Sequence, residues 1–383
     1  MKLQDLKTVA VIGAGDMGHG IAQLAVMAGY DVNLCDIKAE FVERGMSRIF
    51  ASMEKLVSKG RCPAEALERA RNGALKPFTD TAEAVKNADF IIEVVAEKVS
   101  VKESVLRAAS EAAREDAIIA TNTSTMSITM LSNFVKKPER FIGTHYFNPA
   151  VLMKLVEVIN GDKTAEETSR FALDYAQKVG KISVYAKKDT PGFIANRIFY
   201  PAHIYNCACI EKDGVTPEDI DASMMNAGLK MGPMELIDYT GVDITASCFD
   251  YYCEHLSKEF CVPKVLADLL AQGKLGKKSG EGFYKWVDGA RPAISKEAAT
   301  GRYNSDLFFY VQANEATKLY EEGVCSLEDC DKAMKYGYNT PGPIEYIRNH
   351  AAEDVAKALA EISEHFGIEV FKPTKTISSG DYK

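Results

Sequence analysis

Up to residue 188, short apolar runs rich in β-branched side chains alternate with stretches whose apolar residues recur at helical spacing. The runs at 8–12, 31–35, 90–95, 117–120, 140–144, 154–159 and 182–186 predict strands, and 17–27, 40–59 and 101–113 predict helices. Strands separated by helices point to β-α-β units, because parallel neighbours need a crossover long enough to hold a helix. A largely parallel sheet is therefore expected over residues 1–188. Beyond 188 the β-branched runs thin out. Helical spacing continues through 193–210, 220–225 and 265–270 and resumes over 306–366. Pro191 suits a helix start, where its missing N–H costs nothing. Gly289, Pro292 and Gly301 mark 288–304 as a connection, and the polar tail 372–383 is expected to fray.

The helical part repeats itself. Gly214-Val215 recurs as Gly323-Val324. After a one-residue insertion, Glu218, Asp219, Asp221, Met224, Gly232, Pro233, Glu235 and Ile237 recur as Glu328, Asp329, Asp331, Met334, Gly342, Pro343, Glu345 and Ile347. A helical unit that cannot bury its apolar face alone gains by stacking on a copy. The expected division is an α/β domain (1–188), a helical substrate-side domain (189–288) and a second copy of the helical unit (289–383).

Composition narrows the function classes. The 383 residues suit two or three packed units. The charge count, 46 Lys+Arg against 54 Asp+Glu, gives −8, so no basic surplus is at hand to neutralise a nucleic-acid backbone. Residues 1–8 are charged and polar and run straight into a structured motif, so no secretory leader is expected. No apolar run approaches the ~18 residues of a membrane span. Nine cysteines without a C-x-x-C pair read as reduced thiols and give the expectation of a cytoplasmic protein. With six histidines and no ligand spacing among the cysteines, no structural zinc site is expected.

Gly13-Ala14-Gly15-Asp16-Met17-Gly18 follows the apolar run 9–12 and opens a helical stretch. That is the context a dinucleotide-binding glycine loop requires, and it makes the α/β domain Rossmann-type. Gly13 permits the tight turn, Gly15 lets backbone amides approach the pyrophosphate, and Gly18 allows close helix–strand packing. Asp36, at the end of the second strand, suits the ribose hydroxyls and repels a 2′-phosphate, which favours NAD.

His145 follows a strand, where ligands gather in open α/β sheets. Glu157 lies inside Leu155-Val156-Glu157-Val158-Ile159, a costly place for a carboxylate without a partner. Paired, the two form a general acid–base unit in which Glu157 orients the imidazole.

These motifs stand in order with Asn122-Thr123-Ser124, His145-Tyr146-Phe147-Asn148-Pro149, the run 191–197 containing Asn196, Met231-Gly232-Pro233-Met234-Glu235-Leu236 and the run 276–284 containing Lys278. Together they resemble the L-3-hydroxyacyl-CoA dehydrogenase family over residues 5 to about 286, and the remainder resembles the second helical repeat of its longer members. The resemblance implies hydride transfer between NAD and C3 of a 3-hydroxyacyl thioester of short chain. It makes His145 the acid–base group and Glu157 its partner, with Ser124 and Asn196 on the substrate's oxygens. Met17, Glu97, Lys102, Ser124, Asn148 and Lys278 match cofactor positions, and Ser52 and Lys59 match CoA contacts. An acyl-CoA substrate is implied, with the chain a monomer or a homodimer. Two rival readings stay open: a dehydrogenase of a free hydroxy acid such as L-gulonate or carnitine, and a non-catalytic NAD-binding protein.

Overall fold

The computed structural model describes residues 2–383; Met1, the first residue of the expected N-terminal domain, lies outside the described residues. The chain divides into two compact units, Met1–Thr190 and Pro191–Lys383.

The first unit is built on eight strands: β1 Thr8–Ile12, β2 Asp31–Cys35, β3 Leu75–Phe78, β4 Phe90–Glu93, β5 Ile118–Thr121, β6 Phe141–Tyr146, β7 Leu155–Ile159 and β8 Ile182–Ala186. Their order in the sheet is β3-β2-β1-β4-β5-β6-β7-β8. Neighbours run parallel, with β6 and β7 the one antiparallel pair among the described residues. Helices Gly18–Met27 and Val99–Ala112 fill the crossovers β1–β2 and β4–β5. The link from Phe147 to Lys154 is too short for such a crossover, so β7 must turn back alongside β6. Strands β4, β5, β6 and β7 are buried along their whole length, as a sheet covered on both faces requires. Strand β3 was not legible in the sequence: Leu75-Lys76-Pro77-Phe78 is short, half exposed and carries a proline, which only a sheet edge tolerates.

The second unit is helical, and helices Ala195–Asp213 and Ser305–Glu321 pack together within it. The repeat is realised as matched helix pairs, Pro217–Asn226 with Pro233–Thr240 and Leu327–Ala333 with Pro343–Ile347. In the first pair the Asp221 carboxylate accepts the N–H groups of Met234 and Glu235, both at 2.8 Å. In the second, Asp331 accepts from Ile344 at 2.8 Å and Glu345 at 3.2 Å. Each carboxylate thus caps the start of the next helix, satisfying N–H groups that have no partner inside it. A Cβ on Gly232 would lie 2.1 Å from the Asp221 side chain, and one on Gly342 2.6 Å from that of Asp331. The recurrence of Asp and Gly-Pro is therefore the recurrence of one clamp. Burial raises both carboxyls, that of Asp221 to about 7.

Residues 191–288 and 289–383 lie within one compact unit. Two expectations are corrected. The tail is not frayed: it forms helix Lys375–Ser379, buries Ile377 and Tyr382, and is tied down by Arg348 Nε on the Tyr382 carbonyl at 2.9 Å. A polar count misses this because two apolar side chains suffice to anchor so short a segment. The nine cysteines are not all thiols. The turn after helix Val242–His255 folds Cys261 back beside Cys253, and a disulfide joins them at a Cα–Cα distance of 4.7 Å. The other seven form no disulfide.

Candidate active site

The glycine loop leaves β1 with Gly13 at φ +111°, where its N–H bonds the Cys35 carbonyl at 2.7 Å. A Cβ on Gly13 would sit 2.4 Å from the Val94 carbonyl oxygen, and one on Gly18 1.7 Å from that of Gly13. Both glycines are thus demanded by backbone packing. Gly15 is different. A Cβ there would meet no protein atom within 4 Å, so what its small size leaves is open space against the loop. Asp36 braces the loop, Oδ2 accepting the Ala14 N–H at 2.8 Å, while Asp16 pairs with Arg48 at 2.6 Å. Met17 precedes the first residue of helix Gly18–Met27.

The antiparallel pairing of β6 with β7 sets His145 directly opposite Glu157. Opposed residues in such a ladder share a face, and His145 Nδ1 meets Glu157 Oε2 at 2.6 Å. Glu157 is fully buried and His145 nearly so. The buried carboxylate thus receives the partner it requires. The Phe147 ring lies against the imidazole, 4.6 Å between centroids, and Asn148 is exposed just beyond.

A second polar cluster gathers at the ends of β4 and β5. Lys102, 1% exposed, holds Glu93 at 2.8 Å and Glu97 at 3.1 Å. Glu97 Oε1 accepts the Ser124 N–H at 3.0 Å and also binds the Thr123 hydroxyl. Thr121 Oγ1 donates to Glu93 at 2.6 Å. Glu93 went unread in the sequence, although its signal matched that of Glu157: a carboxylate closing an apolar strand, Phe90-Ile91-Ile92. Lys181 also went unread. Its buried ammonium bonds the carbonyls of Ala150 and Met153, which pins the loop after Asn148, and burial lowers its pKa to about 8.

Ser52 lies on helix Ala39–Ser58 and is half-buried, whereas Lys59 is exposed immediately past the helix end. In the helical unit, Asn196 opens helix Ala195–Asp213 and its Oδ1 accepts the Tyr338 hydroxyl at 2.6 Å. Lys278 pairs with Asp243 at 2.5 Å. The structure thus joins His145 to Glu157 and joins Glu97, Lys102 and Ser124 in one network. It places Ser52 on a separate helix of the first unit and Lys59 just past that helix's end, and Asn196 and Lys278 in the second unit.

Among the described residues no group of His, Cys, Asp or Glu is arranged to hold a metal, and no helix is long and apolar enough to cross a membrane.

Residues 8–190 match the 3-hydroxyacyl-CoA dehydrogenase NAD binding domain, and residues 192–286 match the C-terminal domain of the same family. A 3-hydroxyadipyl-CoA dehydrogenase of Escherichia coli (strain K12) is 31% identical, with 96% of each chain covered. The mitochondrial hydroxyacyl-coenzyme A dehydrogenase of Sus scrofa is 37% identical over 73% of this chain and 91% of its own. The crystal structure of 3-hydroxybutyryl-CoA dehydrogenase from Escherichia coli K12 superposes with a TM-score of 0.87 at 29% identity, covering 98% of both chains. With both family domains in order and a relative of this similarity spanning nearly its whole length, the chain belongs to the 3-hydroxyacyl-CoA dehydrogenase family.

Proposed function

We propose that this protein interconverts L-3-hydroxyacyl-CoA and 3-oxoacyl-CoA of short acyl chain with NAD, and that His145 is its acid–base residue. The observation that carries the proposal is the buried 2.6 Å contact between His145 and Glu157. With Nδ1 held by a carboxylate, proton exchange with substrate falls to Nε2. In oxidation Nε2 takes the C3 hydroxyl proton, and Glu157 stabilises the imidazolium that results. In reduction the same proton returns to the C3 oxygen. NAD held at the glycine loop would supply the hydride acceptor for C3, and NADH the hydride donor.

The residues present fit that cofactor. The space against Gly15 admits a pyrophosphate to the loop amides at a helix N-terminus. Asp36 gives one oxygen to the loop and has further acceptor capacity for ribose hydroxyls. Met17, Asn148 and Lys278, together with the Glu97–Lys102–Ser124 network, complete the cofactor side. The Ser124 hydroxyl bonds the substrate's C3 oxygen in either oxidation state, Asn196 donates to a substrate oxygen, and Ser52 and Lys59 take the CoA portion. Seven cysteines outside any disulfide support work in the cytoplasm, against the one disulfide.

The test is loss of NADH absorbance with acetoacetyl-CoA, run beside NADPH and free acetoacetate. Turnover confined to NADH and the thioester is expected, and turnover of the free acid alone would move the reading to a hydroxy-acid dehydrogenase. His145→Gln should lower kcat by roughly 10²–10⁴-fold with NADH binding retained. Unchanged turnover would remove the base assignment.

A further inference from the structure

We infer that Tyr338, carried by the second helical copy, is a positioning residue for the reaction: it holds the Asn196 carboxamide in the orientation that donates to the substrate. The inference rests on the placement of Asn196 at a substrate oxygen.

Two contacts fix Tyr338 on the helix that bears Asn196. Its hydroxyl donates to Asn196 Oδ1 at 2.6 Å. Its ring stacks on Phe199 with centroids 4.1 Å apart and planes 6° from parallel. Asn196 and Phe199 are three residues apart on one helix and share a face, so one tyrosine lies along both. The stack locates the ring and the hydrogen bond locates the amide.

The chemistry of the amide gives this consequence. A carboxamide presents an acceptor at one end and two donors at the other, and rotation about its last bond exchanges them. Thioester, ketone and alkoxide oxygens all call for a donor. A hydroxyl that engages Oδ1 leaves Nδ2 as the end offered elsewhere, and it pre-selects that rotamer before substrate arrives. Pre-organised donors of this kind need not reorient as charge develops on the oxygen.

The repeat shows that this tyrosine is not part of the shared frame. Counted in the register that aligns Asp331 with Asp221 and Gly342 with Gly232, position 338 corresponds to Gly228, which has no side chain. The two copies keep the same carboxylate clamp yet differ here. Both copies close the turn with the same i→i+5 bond, from the Leu229 N–H to Met224 O and from the Asn339 N–H to Met334 O, but the left-handed residue is Gly228 in the first and Asn339 in the second. Tyr338 and Phe199 also wall a cavity of about 190 Å³ with Leu229, Met231, Pro233 and Leu236, so the tyrosine stands beside apolar space as well as beside the amide.

The experiment is a double-mutant cycle in the full chain with acetoacetyl-CoA and NADH. Tyr338→Phe keeps the ring and removes the hydroxyl. It should lower kcat/KM for the thioester by about 3- to 10-fold, the worth of one hydrogen bond, with Tm and KM for NADH unchanged. In an Asn196→Ala background the same change should bring no further loss, since the group it positions is gone. Tyr338→Phe at wild-type kcat/KM, while Asn196→Ala is impaired, overturns the inference alone. Additive losses accompanied by a fall in Tm overturn it in favour of a packing role. Asn196→Ala at wild-type activity overturns the placement of Asn196, and the inference with it.

Discussion

His145 and Glu157 show how a single residue acquires a role from its neighbour across a ladder. Neither side chain is unusual by itself; the register that sets them face to face gives the buried carboxylate its imidazole partner. His203 shows the opposite case. It is buried among Phe199 and Tyr200, and its Nδ1 makes no hydrogen bond among the described residues. Burial alone lowers its pKa to about 3. An unfolded histidine takes up its proton near pH 6.5, so between 6.5 and 3 the unfolded chain binds more protons than the folded one. The neutral imidazole's contribution is complete above pH 6.5 and is lost as the pH falls toward 3. Between pH 7 and pH 5, His203→Gln should therefore lose about 2 kcal/mol less stability than the wild type, read from urea unfolding at the two pH values. Equal losses would show that His203 does not titrate in this way.

Among the elements, the β1–loop–helix unit separates two uses of glycine. Gly18 is required by packing, because any Cβ there would overlap the Gly13 carbonyl oxygen. Gly15 meets no protein atom, so its reason lies outside the folded chain. Gly18→Ala should lower Tm markedly and weaken NADH binding along with it. Gly15→Ala should leave Tm within about 2 °C of wild type and weaken NADH binding at least ~10-fold, measured by fluorescence titration. A Gly15→Ala protein that binds NADH normally would remove the pyrophosphate from this loop. The glycine motif was legible because it combines local rules, a strand, a turn and a helix start. The edge strand β3 was not, because its Leu75-Lys76-Pro77-Phe78 pattern carries neither alternation nor a full apolar run.

On the scale of the whole molecule, the second helical copy is packed into the unit that contains the first. Arg197 and Glu315, both buried, are ion-paired between helices Ala195–Asp213 and Ser305–Glu321. Removing one partner of such a pair leaves a buried charge behind, at a typical cost of ~3–5 kcal/mol. We propose that the copy covers, within one chain, a surface that the first helical unit would otherwise offer to a second chain. Size-exclusion chromatography with light scattering should then give a monomer. A dimer closed through residues 200–240 would contradict this.

Ser124 and Asn196 entered only through the family resemblance; the sequence by itself determined the alternation of strands and helices, the glycine loop with its acid, the recurrence of Asp and Gly-Pro, and the candidates His145 and Glu157. These depend on local spacing and on the cost of burying a charge, both of which are written in adjacent residues. Tertiary structure decided what those candidates touch. The antiparallel turn between β6 and β7 gave Glu157 its histidine, while Glu93 and Glu97 took up Lys102. The fold-back of Cys261 gave Cys253 its partner, and Tyr338, far along the chain, reached Asn196. Such pairings follow from how distant segments pack, and no local pattern encodes the distance between them.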